Sequence, residues 1–184
     1  MQGRREIRLS GSGGQGILLA GIILAEAALL EGKNAVQSQS YGPEARGGAS
    51  KSEVIISDGS IDYPKVAKPE ILMALTEEAY HKYCQGLQAG STLVIDDSIL
   101  LGEEVPGGVN VVSAPILASA METMKRPIVA NIIALGVLVG ASHIVKAESL
   151  EQAVLNRVPR GTEDLNRQAL ALGFQLAAAA NRNK

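Results

Sequence analysis

Gly11-Ser12-Gly13-Gly14-Gln15-Gly16 places glycines in the spacing G-x-G-x-x-G. Glycine has no Cβ to hold a phosphate away from main-chain amides. Free N–H groups at a helix start also attract an anion. A second polar cluster, Gln39-Ser40-Tyr41-Gly42-Pro43-Glu44-Ala45-Arg46-Gly47-Gly48, carries fixed charge among glycines. Its Arg46 guanidinium is a planar fork suited to phosphate or carboxylate. Glu44 is placed to anchor Arg46 or to meet a partner's cation, and Tyr41 and Gly42 open the loop. Asn131 lies in an otherwise apolar stretch. A buried amide needs partners, so Asn131 reads either as a core hydrogen bond or as a contact to a cofactor or subunit. Asp96-Asp97-Ser98 pairs two carboxylates that could hold Mg²⁺, but neighbours on a strand point opposite ways, so a turn or helix cap is favoured. His81 and His143 lack a neighbouring ligand or nucleophile, Cys84 lacks a cationic setting, and Lys65 and Lys68 read as solvated.

The elements that must position these groups follow from pattern. Residues 7–10 form a β-type run into the glycines. Residues 17–30 are apolar nearly all round except at Glu26, as in a buried helix, and Gly32 suits its stop. Strand, glycine turn and helix make a βα unit of the doubly wound type. Residues 35–38 read as the second strand. The loop that follows it is expected at the same carboxyl edge as the glycines, on a neighbouring parallel strand. More strands are expected over 53–57, 71–75, 92–95 and 109–112, and the Asp58-Gly59 turn lets 61–63 pair back as a hairpin. Helices are expected over 77–87, 116–124, 128–139 and 150–158, with a last one opened by Thr162. No linker breaks the pattern. The expectation is one domain over residues 1–184, an α/β fold of the three-layer α/β/α, Rossmann-like type with a mostly parallel sheet.

Whether the glycines serve packing or an anion stays open, although the strand–helix context favours the anion. A dinucleotide site would present Asp or Glu at the end of the second strand, where Gln37-Ser38-Gln39-Ser40 stands instead, and Glu31 falls at the end of the helix. No Lys-Ser/Thr follows the glycines, which excludes a Walker A loop.

Composition narrows the classes further. Lys+Arg number 17 and Asp+Glu 19, a net charge of −2, so no basic excess exists to bind nucleic acid. Aromatic residues are 3% and Trp is absent, too few for base-stacking platforms. The single cysteine builds no disulfide, iron–sulfur cluster or structural zinc site, which fits a reducing cytoplasm. No signal peptide is readable. The longest apolar run, 128–141, is short for a membrane span and holds Asn131, Gly136 and Gly140. No catalytic residue and no metal ligand is assigned, and a hard reaction is not expected of this chain alone.

Three segments, Gly11-Ser-Gly-Gly-Gln-Gly16, Ser38-Gln-Ser-Tyr-Gly-Pro-Glu-Ala-Arg-Gly-Gly48 and Ala130-Asn-Ile-Ile-Ala-Leu-Gly136, together resemble the gamma subunit of 2-oxoacid:ferredoxin oxidoreductases. The likeness covers almost the whole chain and takes in the 2-oxoglutarate, 2-oxoisovalerate and pyruvate types. It implies a multi-subunit enzyme that oxidatively decarboxylates a 2-oxoacid to an acyl-CoA and passes electrons to ferredoxin. It also implies alpha, beta and delta partners that hold thiamine diphosphate, Mg²⁺ and iron–sulfur clusters. The chain has no Gly-Asp-Gly with a distant Asn to hold thiamine diphosphate itself. The expected role is a non-catalytic subunit that shapes the CoA-side cleft through Gly11, Ser12, Gly13, Gly14, Gln15, Gly16, Tyr41, Gly42, Glu44, Arg46 and Asn131. A homodimer is expected of the isolated chain. Two alternatives are a stand-alone nucleotide-binding oxidoreductase and a purely structural assembly subunit.

Overall fold

A computed structural model describes residues 3–40, 48–102 and 105–182. Tyr41, Gly42, Glu44 and Arg46 lie outside the described residues. The strands are β1 (Arg5–Ser12), β2 (Asn34–Ser40), β3 (Ala49–Ser57), β4 (Ile71–Ala74), β5 (Thr92–Asp96) and β6 (Asn110–Ala114). The helices are α1 (Ile17–Leu30), α2 (Glu77–Tyr83), α3 (Ile116–Ala118), α4 (Ala130–Ser142), α5 (Ala147–Arg157) and α6 (Glu163–Arg182). Helix α3 runs on into a π turn over Ser119–Thr123, and a 3₁₀ turn, Pro127–Val129, leads into α4.

One sheet of order β2-β3-β1-β4-β5-β6 carries the fold. Strands β1, β4, β5 and β6 pair in parallel, and β3 runs antiparallel between β1 and β2. The mostly parallel α/β expectation holds, with one correction. β1 and β2 point the same way but are not neighbours, because β3 lies between them. Both edges of β3 are thereby taken, so residues 61–63 have no edge to pair with and form no strand. That segment is instead tied to the start of β1: Arg4 donates to the carbonyls of Tyr63 and Lys65, and the Glu6 carboxylate accepts from the amides of Ala67 and Lys68.

Strand alternation divides two cores. Ile7, Leu9, Val54, Ile56, Met73 and Val94 face α1, α4, α5 and α6 in the larger one. Leu72, Ala74, Leu93 and Ile95 face Tyr80 of α2 and Leu87 in a smaller one. The third layer of the α/β/α sandwich is therefore thin. Helix α2 ends at Tyr83, short of the 77–87 span the sequence suggests. The buried Arg8 side chain explains the stop: it pairs with Glu53 at 2.8 Å and donates to the carbonyls of Tyr83, Gln85 and Val66. Those carbonyls are satisfied by a guanidinium, so the chain turns without a further helical turn.

Candidate functional site

Parallel strands of an open α/β sheet bind ligands outside their carboxyl ends, where successive crossovers leave in opposite directions. Here that point lies between β1, whose helix α1 packs on the large core, and β4, whose helix α2 packs on the small one. The glycine loop sits at that edge.

The motif divides into two halves. Gly11 lies inside β1, and a Cβ there would meet the Gln15 side chain at 2.5 Å and Ile17 at 2.9 Å. Gly16 caps α1 at φ 71°, and a Cβ there would strike the Asn131 amide at 2.5 Å. These two glycines permit close packing. At Gly13 and Gly14 a Cβ would meet no atom of the described residues within 4 Å. Gly14 takes a left-handed φ of 89° that favours glycine. Gly13 is not in that region, and no described residue needs its Cβ to be missing, so the bareness of Gly13 serves something other than packing among them.

The loop fixes itself through its own polar atoms. The Gln15 carbonyl oxygen Oε1 accepts from the Ser12 amide at 2.8 Å, and the Gln15 amide donates to the Ser12 carbonyl at 3.3 Å. The Gly13 amide donates to the Gly48 carbonyl at 3.3 Å. The amides of Gly13 and Gln15 are thus committed within the chain. Those of Gly14 and Gly16 meet no acceptor among the described residues, and they stand at the positive end of α1. No side chain caps this helix, whose cap residue is glycine. An anion would complete it.

The bond to Gly48 also returns the chain beyond residue 47 to the glycine loop. Ala49, next along, is held from α2, with its amide bonded to Glu78 and its carbonyl to the Tyr83 hydroxyl at 3.0 Å. The two polar clusters therefore meet at Gly13–Gly48 even though β3 separates β1 from β2. The sequence pattern offers no sign of Glu78 or Tyr83 in this role.

Asn131 is buried at the first turn of α4 and donates to the Gly16 carbonyl at 3.3 Å. It lines a pocket of about 340 Å³ together with Gly14, Gly16, Leu19, Ile132, Pro159 and Leu165. A second hollow of about 480 Å³ lies across Ile128, lined by Gly14, Gln15, Leu117, Met121 and Pro127. Ile128 is 81% exposed and Met121 62%. The glycine loop is thus flanked by apolar surface. Sequence reading missed this surface, because it forms only when the starts of α4 and α6 are brought beside α1. The breaks at Arg126-Pro127 and Val158-Pro159 were the available signal.

Asp96 is buried and accepts from the Ser98 amide and hydroxyl and from the Leu117 amide at 2.8 Å. Both carboxylate oxygens hold a turn and the start of α3, as the turn-or-cap reading expects. Among the described residues no group of His, Cys, Asp and Glu is arranged to hold a metal. Among them, too, no helix is long and apolar enough to cross a membrane.

Residues 6–176 match the model of the family described as pyruvate ferredoxin/flavodoxin oxidoreductase. The chain belongs to that family. It is a gamma subunit of a 2-oxoacid:ferredoxin oxidoreductase, a multi-subunit enzyme. It is similar to the 2-oxoglutarate synthase subunit KorC of Methanocaldococcus jannaschii, with 51% identity over 95% of this chain and 94% of that one. The crystal structure of the gamma subunit of a keto/oxoacid ferredoxin oxidoreductase from Geobacter sulfurreducens matches at a TM-score of 0.84, with 50% identity over 97% of this chain and 98% of that one. The 2-oxoglutarate:ferredoxin oxidoreductase of Magnetococcus marinus, solved with 2-oxoglutarate, coenzyme A and succinyl-CoA bound, shares the fold at a TM-score of 0.86 and 24% identity. There this gamma subunit covers 97% of its own length but 32% of the longer chain.

Proposed function

We propose that this gamma subunit holds the phosphates of coenzyme A for its assembled enzyme. The observation that carries this reading is the exposed pair Gly13 and Gly14 beside the Gly14 and Gly16 amides at the start of α1, for which the described residues offer no acceptor. Gly11, Ser12 and Gln15 shape that loop. Asn131 pins it, and Tyr41, Gly42, Glu44 and Arg46 form the second loop, with Arg46 its cation for the phosphates. The apolar hollows beside it suit the less polar parts of the same ligand. The coenzyme A bound in the Magnetococcus relative supports the ligand class.

The subunit itself is non-catalytic. Thiamine diphosphate and Mg²⁺, which stabilise the carbanion left by decarboxylation, and the iron–sulfur clusters, which carry its electrons to ferredoxin, reside in the alpha, beta and delta subunits. Cys84 alone cannot ligate a cluster, and the Asp96 carboxylate is committed to backbone and hydroxyl donors. The full-length KorC relative supports 2-oxoglutarate as the oxoacid. The whole chain acts as one domain in the cytoplasm and pairs with itself when isolated. The exposed Ile128 and Met121 favour a second reading, that this edge docks a neighbouring subunit.

The two readings separate in steady-state kinetics of the reconstituted enzyme. A charge-assisted bond from Arg46 contributes roughly 1.5–3 kcal/mol. Arg46→Ala should raise the KM for CoA by about ten- to hundredfold and leave CoA-independent decarboxylation nearly unchanged. An assembled Arg46→Ala enzyme with unchanged CoA dependence would assign the loop to docking instead.

A further inference from the structure

Among the described residues, one edge of the sheet is left unpaired. β2, Asn34-Ala35-Val36-Gln37-Ser38-Gln39-Ser40, pairs only with β3. It carries no charge, no proline and no glycine. Exposed edges are usually blunted by Lys, Pro or a bulge, because a row of unpaired N–H and C=O groups accepts another strand. The side-chain bond given to the backbone of β2 among the described residues is a long one, from Gln37 Nε2 to the Ser38 carbonyl at 3.4 Å.

A second feature runs beside it. At 100° per residue, Leu18, Ile22 and Leu29 of α1 fall within about 40° of one another. Leu18 and Ile22 are half-buried and Leu29 is 56% exposed. The flanks of this stripe are known. A Cβ on Gly21 would touch Ser52 of β3 and Gln37 of β2, so the sheet edge lies on one side. Glu26 bonds Asn156 and Arg157, so α5 lies on the other. The apolar stripe therefore opens between the β2 edge and α5. α1 is about 21 Å long and β2 about 23 Å, so the two features run for matched lengths.

We propose that the β2 edge and the α1 stripe are a docking surface for a second copy of this chain, joined by antiparallel β2–β2 pairing. Symmetry argues for a copy over a foreign strand. Antiparallel pairing of identical edge strands sets a twofold axis perpendicular to the sheet. Both α1 helices then lie on the same face, side by side, with their apolar stripes meeting. A lone peptide strand would cover the edge and leave the leucines wet. The charges beside the stripe among the described residues are paired within the chain, Glu26 with Arg157 and Glu31 with Lys33, so the twofold brings none of these together unpaired. Pairing all of Asn34–Ser40 places Gln37 opposite its own symmetry mate. This names the surface for the expected homodimer and does not depend on the coenzyme A reading.

The test uses the full chain. Sedimentation should show a dimer, and Leu29→Glu should weaken it at least about tenfold. The dilute monomer should unfold thermally as wild type does, since Leu29 is largely exposed, and only at dimer-forming concentration should the variant melt lower. In a Cys84→Ser background, Gln37→Cys should form a disulfide-linked dimer on mild oxidation, because opposed strand residues lie at disulfide distance. Gln88→Cys, exposed just ahead of β5 on the far side of the sheet, should not. A monomer at high micromolar concentration would overturn the proposal, as would a dimer indifferent to Leu29→Glu or equal cross-linking at both positions. A chain that stays monomeric and buries this edge only against a different subunit would overturn it too.

Discussion

Glycines do opposite work at two places in this molecule. Where α4 crosses α6, a Cβ on Gly173 would stand 2.2 Å from the Ile133 carbonyl oxygen, and one on Gly136 would stand 2.6 Å from that of Leu170. The backbones touch, and only hydrogen fits between them. At Gly13 and Gly14 there is nothing to touch among the described residues. One set brings two helices together, and the other keeps a surface bare. The contrast shows that a glycine-rich motif is not one signal. Within G-x-G-x-x-G itself, Gly11 and Gly16 belong with the packing set and Gly13 and Gly14 with the open one.

The comparison breaks most readily at the helix crossing. Gly173→Val should destabilise the chain by ~3 kcal/mol or more, because backbone must move to admit the side chain. Denaturant titration checks it, and a loss under 1 kcal/mol would mean that the crossing is looser than its geometry.

Asn131→Ala sharpens the boundary between the two sets, since Asn131 ties the packed half of the loop to α4. Loss of its bond to the Gly16 carbonyl should cost about 1–2 kcal/mol, a fall of roughly 2–8 °C in Tm. It should also raise the KM for CoA in the assembled enzyme. A changed Tm with an unchanged KM would make Asn131 purely a packing residue.

The smallest stability effect lies away from both. Burial pushes the Glu31 carboxyl up, but the Lys146 amide, Ser149 and Lys33 outweigh it and hold the group below the ordinary carboxylate range. The hydrogen bond that the Lys146 backbone N–H donates to Glu31 Oε1, at 2.5 Å, ties the end of α1 to the start of α5. A lowered folded-state pKa means stabilisation that is present above the unfolded pKa and lost as pH falls through the folded one. Wild type should therefore exceed Glu31→Gln in Tm at neutral pH, with the gap closing as pH falls below about 4.3. A gap constant into that acid range would show that the charge contributes nothing.

Much of the frame was legible in the chain. The span of α1 follows from its apolar run, broken only at Glu26, and from Gly32, which takes φ 74° as a helix stop requires. What was hidden depends on distant partners. The insertion of β3 between β1 and β2 is a pairing choice that no local pattern encodes, and it also removed the hairpin suggested by Asp58-Gly59. The early end of α2 is set by Arg8, which lies far back in the sequence. At the candidate site the glycines and Asn131 were readable as types. Their division into packed and open halves was not, because it depends on Gln15 folding back onto Ser12 and on α4 approaching Gly16. Tyr41, Gly42, Glu44 and Arg46 rest on sequence alone.

Gly13→Val in the reconstituted enzyme tests the anion-site reading most directly. Gly13 is not in the left-handed region and no described residue occupies the space for a side chain, so the chain should fold, assemble and melt as wild type does. The valine would nonetheless stand where phosphate must approach the amides. The expected result is a KM for CoA raised at least about tenfold, ~1.4 kcal/mol, at unchanged Tm and subunit stoichiometry. An assembled Gly13→Val enzyme with wild-type KM for CoA would contradict the assignment of the open glycines to a phosphate.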